Sequence, residues 1–413
     1  MRLLDTFLAK LITKGRLTVI WADGSRGSYG ISAPDLPDVT VRFTDRLAPL
    51  IVAINPHANT GEMLLEERMI VEQGTIRDFL MLTLANAVWE EGRTLLQTNG
   101  LLGAWRKFRA TLDRLNWPTR ARRNVAHHYD LSDRLYDLFL DKDRQYSCAY
   151  FTDPGNDLET AQADKTAHIL AKLALEPGQK VLDIGCGWGG MALAINRITG
   201  GEVLGITLSE EQLGISRRRA EQAGVADKVR FELLDYRDVS GQFDRIVSVG
   251  MFEHVGPPFY RRFFAQCHEL LTPDGVMLLH TIGRLGGPGM TDRFTSRYIF
   301  PGGYLPALSE IVGASEQMRL IATDIENLRL HYAYTLDHWY ERTLAAEEEI
   351  VRLYDARFFR LWQIYLAGAA ASFRYGGITV YQLQYARSRH ALPITRGYMG
   401  EAEAEIRERL RSA

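Results

Sequence analysis

The sequence predicts an α/β protein with a mostly parallel sheet, preceded by a small α+β domain. Three observations carry this. Between residues 181 and 282 short apolar strands alternate with helical stretches, the pattern of an open sheet covered by helices on both faces. The first of these strands runs into clustered glycines, Val181-Leu-Asp-Ile-Gly-Cys-Gly-Trp-Gly-Gly190, which is how a parallel strand turns into a helix while letting backbone approach a ligand. At 413 residues, 46% of them hydrophobic, the chain exceeds what one core normally gathers, so two domains are expected.

In chain order, Leu3, Leu4, Phe7, Leu8 and Leu11 stand at helical spacing, a short amphipathic helix. Residues 16–21 and 39–43 alternate as strands, with a partner strand beginning near Gly27. Residues 44–53 and 75–98 read as helices, although Pro49 sits badly inside the first; Thr75 caps the second ahead of Ile76, Phe79, Leu80, Leu82, Leu84 and Val88. These segments define an N-terminal α+β domain over 1–100, either a packing module or a lipid-handling one. Residues 101–124 form a basic amphipathic linker: Arg106, Lys107, Arg109, Arg114, Arg120, Arg122 and Arg123 stand against Asp113, interleaved with Leu101, Trp105, Phe108, Leu112 and Trp117. Positive heads around a Trp and Leu face suit an anionic membrane surface, and a solvated helix face or interdomain strap has the same composition.

Residues 125–413 form the larger domain. Helices are expected through Leu140 and over 157–173, and strands over 181–184, 203–206, 229–234, 245–249 and 276–282. Ser209-Glu-Glu-Gln212 reads as a capping box. Phe259, Phe263, Cys267 and Leu270 make an apolar stripe, which assigns Cys267 to the core. The glycine-rich stretch 284–303 is a candidate lid, and 305–410 reads as largely helical.

The totals narrow the function. A net charge of -2 gives no global attraction to nucleic acid. Cys148, Cys186 and Cys267 lack the spacing of a disulfide framework or a zinc site, so no metal is expected and a reducing cytoplasm fits. The charged N-terminus does not resemble a signal peptide, and no uncharged run reaches about 18 residues.

Ligands of such a sheet bind outside the carboxyl ends of its strands, at the switch point. Polar groups stand at each end: Gly185 and Gly187 after the first strand, Thr207 and Gln212 after the second, Asp235, Tyr236 and Arg237 after the third, Glu253 and His254 after the fourth, and His280 at the fifth. A dinucleotide site wants an acid about 20 residues beyond the glycines for the ribose. The second strand ends instead in Thr207, which favours S-adenosylmethionine (SAM) and a Rossmann-like, class I SAM-dependent methyltransferase fold.

His128-Tyr-Asp-Leu131, Gln145-Tyr-Ser-Cys-Ala-Tyr150, Val181 to Gly190, Gly205-Ile-Thr-Leu-Ser209, Val249-Gly-Met-Phe-Glu-His-Val-Gly256 and Leu279-His-Thr-Ile-Gly283 together resemble the cyclopropane-fatty-acyl-phospholipid synthase family, kin to the mycolic acid cyclopropane synthases. The likeness runs from about residue 124 to about 387 and keeps motif order. More loosely, the N-terminal unit resembles the lipid-binding domain of the bacterial members. The resemblance implies transfer of a methylene from SAM to a cis double bond of a phospholipid acyl chain, through a carbocation that loses a proton to bound bicarbonate. The matching base-site positions are Cys148, Glu253, His280, Ile282 and Tyr332, with His280, or a proton shared with Glu253, bridging the negative groups, and Tyr129 facing the cation. The SAM contacts carried over are Tyr146, Ser147, Asp183, Gly185, Gly187, Thr207, Leu208, Gln212, Asp235, Tyr236 and Arg237. The implied partner is a phospholipid bilayer with unsaturated chains, anionic in character, met from the cytoplasm at the inner face of the membrane; a homodimer is compatible with it. Some members carry a cysteine in a late helix where residues 365–373 here have none, which excludes a covalent thiol route at that position. The same cation can also yield a methyl or methylene branch, and a lipid-binding protein without turnover is the reading from another class.

Overall fold

The computed structural model of the chain describes residues 2–92 and 132–411. The linker 101–124, Tyr129 and the rest of the 124–131 motif lie outside the described residues. Two compact units form, and neither is one stretch of chain. Described residues up to 92 cluster with Thr291–Pro301 and Ala333–Ile378, whereas 132–290 cluster with Gly302–Tyr332 and 379–411. This differs from the linear cut expected at 101–124: part of the larger domain's sequence belongs by compactness with the N-terminal residues.

The first unit opens with α1 (Arg2–Leu11) and a sheet of order β2-β1-β3-β4, made from β1 (Leu17–Ile20), β2 (Arg26–Tyr29), β3 (Val39–Phe43) and β4 (Met69–Gln73). β1 pairs antiparallel with β2 and parallel with β3, and β3 pairs antiparallel with β4. Val39, Val41 and Phe43 are buried while Thr40 and Arg42 are half-exposed, the alternation of a sheet covered on one face. Pro49 falls in the first turn of α2 (Ala48–Ile54), where the missing N–H costs nothing. α3 (Pro56–Leu65) follows, then α4 (Ile76–Ala85), whose Thr75 hydroxyl accepts from the Asp78 amide at 3.1 Å while the Asp78 carboxylate accepts from the Thr75 amide at 2.9 Å. α4 stops at Ala85, well short of residue 98, because the buried Asn86 side chain takes over: it accepts from the amides of Thr13 and Lys14 and donates to the carbonyls of Lys14 and Leu82.

The second unit begins with α5 (Asp133–Phe139) and α6 (Leu158–Lys172), capped by the Asp157 carboxylate on the Thr160 amide at 2.8 Å. Strand and helix then alternate: β5 (Val181–Ile184), α7 (Gly190–Thr199), β6 (Val203–Thr207), α8 (Glu210–Gln222), β7 (Val229–Leu233), β8 (Phe243–Val249), α9 (Tyr260–Leu270) and β9 (Leu271–Arg284). The chain enters the first unit for α10 (Arg293–Tyr298), within the stretch read as a glycine-rich loop. It returns for α11 (Leu308–Glu316) and β10 (Ile321–Asn327). α12 (His331–Ala345) begins in the second unit and carries the chain into the first, where α13 (Glu347–Leu353) and α14 (Ala356–Tyr375) follow, α14 packing on α4. β11 (Ile378–Ala386) and α15 (Gly397–Arg411) complete the second unit.

Its seven-stranded sheet has the order β10-β11-β9-β8-β5-β6-β7, parallel from β9 through β7, with β10 and β11 antiparallel to each other. Both β10 and β11 lie in a region read from sequence as helical. Cys267 is fully buried in the core between this sheet and its helices, as its stripe requires. Among the described residues no helix is long and apolar enough to cross a membrane.

Candidate active site

β5 pairs with β6 on one side and with β8 on the other, so the connections leaving β5 and β8 part at this point and open a crevice at the strand ends. The backbone there demands glycine. Gly185 has φ +82°, and a Cβ on it would stand 2.8 Å from Cβ of Met251. A Cβ on Gly190 would overlap the Asp143 carboxylate, so glycine is what lets the 141–147 loop close over the start of α7.

One cavity of about 1250 Å³, including its open mouth, occupies the crevice. Tyr146, Ser147, Asp183, Gly185, Gly187, Thr207, Leu208, Gln212, Asp235, Tyr236 and Arg237 all line it, so every SAM position carried over from sequence falls on a single wall system. At the end of β6, the Thr207 hydroxyl donates to Gln212 Oε1 at 2.9 Å. Ser209 caps α8 by accepting from the Gln212 amide, as expected, but the Gln212 side chain turns to Thr207 instead of closing a capping box. After β7, the buried Asp235 carboxylate accepts from the Arg237 guanidinium (Nε at 2.7 Å) and from the Arg237 amide at 3.0 Å, and the guanidinium lies 5.5 Å over the Tyr236 ring.

The 141–147 loop is held from α6. Asp141 accepts from the amides of Asp143 and Gln145, both at 2.9 Å. Gln162 donates to the carbonyls of Gln145 and Ser147. Lys165, wholly buried, donates through Nζ to Gln145 Oε1 at 2.6 Å and Ser147 Oγ at 3.0 Å. Burial lowers this lysine to about 8, against the pull of Asp141, Asp143, Cys148 and Asp183. Burial likewise raises Asp183 to about 7, with Lys165 opposing, and its Oδ2 has no partner among the described residues. Sequence reasoning passed over Lys165. The available signal was its place on the buried stripe of α6, four residues before Ile169 and seven after Leu158.

A second cluster sits at the ends of β8 and β9. Glu253 lies in a one-turn 3-10 helix, Phe252–His254, whose neighbours Met251, His254 and Val255 line the cavity while Glu253 does not. Its Oε1 accepts from the Ile282 amide at 2.6 Å, and Oε2 is buried with no partner among the described residues. Burial raises this carboxyl to about 7, partly offset by the Ile282 amide. His280 and Ile282, two apart on β9, present side chains to one face of the sheet. His280 Nδ1 lies 3.2 Å from Gln382 Nε2 on β11; with the amide donating, the ring keeps its proton on Nε2. Burial, then the charges of Lys165 and Lys172, lower His280 to about 3. Burial thus favours the neutral His280 ring, and among the described residues no hydrogen bond joins it to Glu253.

Cys148 is buried, its thiol 3.3 Å from the Ala149 carbonyl. Tyr332 is buried at the start of α12, and its neighbour His331 accepts from the Phe151 amide at 2.9 Å, tying 148–151 to 331–332. Tyr150 is stacked between His331, at 4.7 Å, and His168, at 4.0 Å. None of Cys148, Glu253, His280, Ile282 and Tyr332 lines the cavity itself. Glu253 is bonded to the Ile282 amide, with His280 two residues earlier on β9, and the Phe151–His331 bond separately ties the segment of Cys148 to that of Tyr332. The Lys165 charge acts on both groups, at Cys148 and at His280.

A glycine turn at the switch point of this seven-stranded sheet, with acid, hydroxyl and amide groups at successive strand ends, defines a SAM-dependent methyltransferase. Comparison with known proteins gives the particular kind. The family model "mycolic acid cyclopropane synthetase" matches residues 117–383, and the chain belongs to that family. It is 45% identical over 260 residues to the cyclopropane-fatty-acyl-phospholipid synthase of Escherichia coli strain K12, covering 63% of this chain and 66% of that protein. It is 43% identical over 284 residues to a probable fatty acid methyltransferase of Pseudomonas putida, covering 66% and 72%. The solved mycolic acid cyclopropane synthase CmaA1, complexed with SAH and CTAB, is 36% identical with a TM-score of 0.61, covering 64% of this chain and 98% of that one.

Proposed function

We propose that this protein is a cyclopropane-fatty-acyl-phospholipid synthase, adding a methylene from SAM across a cis double bond of a phospholipid acyl chain. The observation that carries this reading is the buried Glu253 carboxylate, pinned by the Ile282 amide through Oε1, with Oε2 lacking a hydrogen-bond partner among the described residues, in a neighbourhood where burial lowers His280 and favours its neutral ring. That pair suits a small oxyacid anion: Glu253 Oε2 accepts the acid proton and His280 donates to the charged oxygen. Bicarbonate held there would supply a proton acceptor for the cation left by methyl transfer. The chain's own residues do the rest. Glu253 and His280 orient the acceptor, Tyr332 adds a donor from α12, and Cys148 walls the site. Tyr129, outside the described residues, is assigned to the cation's flank. The surrounding burial keeps water from the cation.

The eleven cavity-lining positions from Tyr146 to Arg237 would hold SAM, whose sulfonium supplies an electrophilic methyl. Tyr236, edge-on to Phe263 at 5.3 Å, forms a flat wall for the adenine, and the Thr207–Gln212 pair meets the ribose. The bilayer partner is anionic, reached at the cytoplasmic face through the basic segment 101–124, with the N-terminal unit as the lipid-handling part.

A second reading is a carbon methyltransferase that leaves a methyl or methylene branch; the 43% identity to a probable fatty acid methyltransferase supports methyl transfer to a fatty acid without specifying a ring. Mass spectrometry with NMR of host phospholipids before and after expression tests both. A gain of one CH2 per double bond with cyclopropyl protons and loss of the olefin supports ring closure, retained or relocated unsaturation supports branching, and unchanged lipids with SAM-bound protein defeat both in favour of a lipid-binding protein.

A further inference from the structure

Helix α6 buries two lysines: Lys172 is paired with Glu326, whereas Lys165 reaches the cavity wall. Lys165 is 0% exposed, and its ammonium bonds two residues of the cavity wall, Gln145 Oε1 at 2.6 Å and Ser147 Oγ at 3.0 Å. An ammonium has donors only, so both partners must act as acceptors. The consequence is a fixed polarity. With its oxygen committed to Lys165, the Gln145 amide turns its nitrogen to Asp143 Oδ2, at 2.6 Å. With one lone pair committed to the ammonium, the Ser147 O–H is turned away from Lys165, and Ser147 lines the cavity, so its proton is free to be donated there. A buried lysine surrounded by Asp141, Asp143 and Asp183 thereby makes a donor site out of a loop that would otherwise be acid-rich.

We propose that Lys165 is a positioning residue for the methyl donor: it orients Ser147 and Gln145 so that this end of the cavity receives the anionic carboxylate of the donor's amino-acid part. This rests on the reading of the cavity as the SAM site. Nothing in the reaction itself requires a lysine in α6. The residue acts through the loop and does not touch the reacting carbon.

The test compares two ligands that share the nucleoside and the thioether and differ in the amino-acid end: S-adenosylhomocysteine, which carries the carboxylate, and 5′-methylthioadenosine, which lacks it. Full-length Lys165→Met, an apolar replacement of similar length, should bind S-adenosylhomocysteine at least about 10-fold more weakly by calorimetry. Its affinity for methylthioadenosine should change by less than about twofold. Equal losses for both ligands, or none for either, overturn the proposal. A wild-type chain that binds neither ligand overturns the cavity reading instead.

A pH series adds a readout that packing alone would not move. Lys165 is charged below about 8, facing Asp141 and Asp143 from the loop, Asp183 from β5, and Cys148 and His280 nearby. Wild-type affinity for S-adenosylhomocysteine should therefore fall between pH 7 and 9 more steeply than that of Lys165→Met, which sees the same titration of the ligand's own amine. Should Lys165→Met fail to fold, Ser147→Ala decides: a selective loss for S-adenosylhomocysteine with the pH step removed supports the proposal, and an unchanged pH step overturns it.

Discussion

Glu253 Oε1 accepts from the backbone amide of Ile282 at 2.6 Å, so an acid from the turn after β8 is pinned to the end of β9. The contact fixes the carboxylate without neutralising it, and burial leaves it near 7. Glu253→Gln keeps the size and the acceptor for Ile282 and removes the acceptor for a bound acid proton. Product formation should fall by at least about 100-fold while S-adenosylhomocysteine affinity stays within about twofold, measured by lipid mass spectrometry and calorimetry. Surviving activity would remove Glu253 from the base site.

The same substitution has a stability signature. Because the folded carboxyl is raised above its ordinary 4.5, the folded chain holds its proton where the unfolded chain has lost it, so burying Glu253 grows costlier as pH rises from about 4.5 to about 7. Glu253→Gln should therefore gain on the wild type across that window, by about 1–3 kcal/mol at pH 8 relative to pH 4.5, read from denaturant melts.

Gly185→Ala tests the turn. Its φ of +82° strains any side chain, and Cβ of Met251 blocks the space at 2.8 Å. The variant should lose about 1–3 kcal/mol of stability and at least about 10-fold in S-adenosylhomocysteine affinity, seen together in thermal melts with and without ligand. An unchanged affinity would separate the glycine turn from cofactor binding.

His168 is clamped between Glu326 (Nε2 at 2.7 Å) and Glu403 (Nδ1 at 2.8 Å). Burial opposes its charge, but the two carboxylates outweigh burial and raise it above its ordinary 6.5. The stabilisation is fully present below about 6.5 and is lost as pH rises through the raised folded value. His168→Gln should cost about 1–3 kcal/mol at pH 6 and distinctly less at pH 9. A pH-independent difference would mean the ring acts by packing on Tyr150 alone.

The basic segment 101–124 should bring the protein to vesicles that contain anionic lipid, with binding that weakens as salt is raised. Co-sedimentation with neutral and anionic vesicles at low and high ionic strength measures it. Equal binding to neutral vesicles in high salt would remove electrostatics from the account.

The parallel strands were legible from short apolar stretches: β5, buried on both faces, reads as a nearly continuous apolar run, while β7 at the sheet edge shows the alternation of a half-exposed strand. The glycine turn and the polar residues at the strand ends were legible for the same reason: local chemistry marks them. β10 was not, because Ile321–Asn327 exposes most of its side chains and carries no clean alternation. β11 hides Gln382 and Gln384 in full burial, two amides that look solvated until their partners 102 and 212 residues away are known. Lys165 escaped similarly: a lysine on a helix is ordinarily at the surface, and Gln145 and Ser147 reach it only through tertiary packing. The apolar stripe of α14 announces that something covers it, but periodicity cannot say that α4, from the other end of the chain, does so.

That crossing bears on how the molecule is born. A chain emerging from the ribosome normally lets its first domain close while the rest is still being made. Here α4 is synthesised early and its covering helix, Ala356–Tyr375, arrives only after almost all of the second unit has been translated, and β11 later still. The contacts of each unit are therefore complete only late in translation. A premature stop anywhere before residue 356 leaves the nascent product with a bare oily flank, a substrate for chaperones and proteases in place of a shorter enzyme.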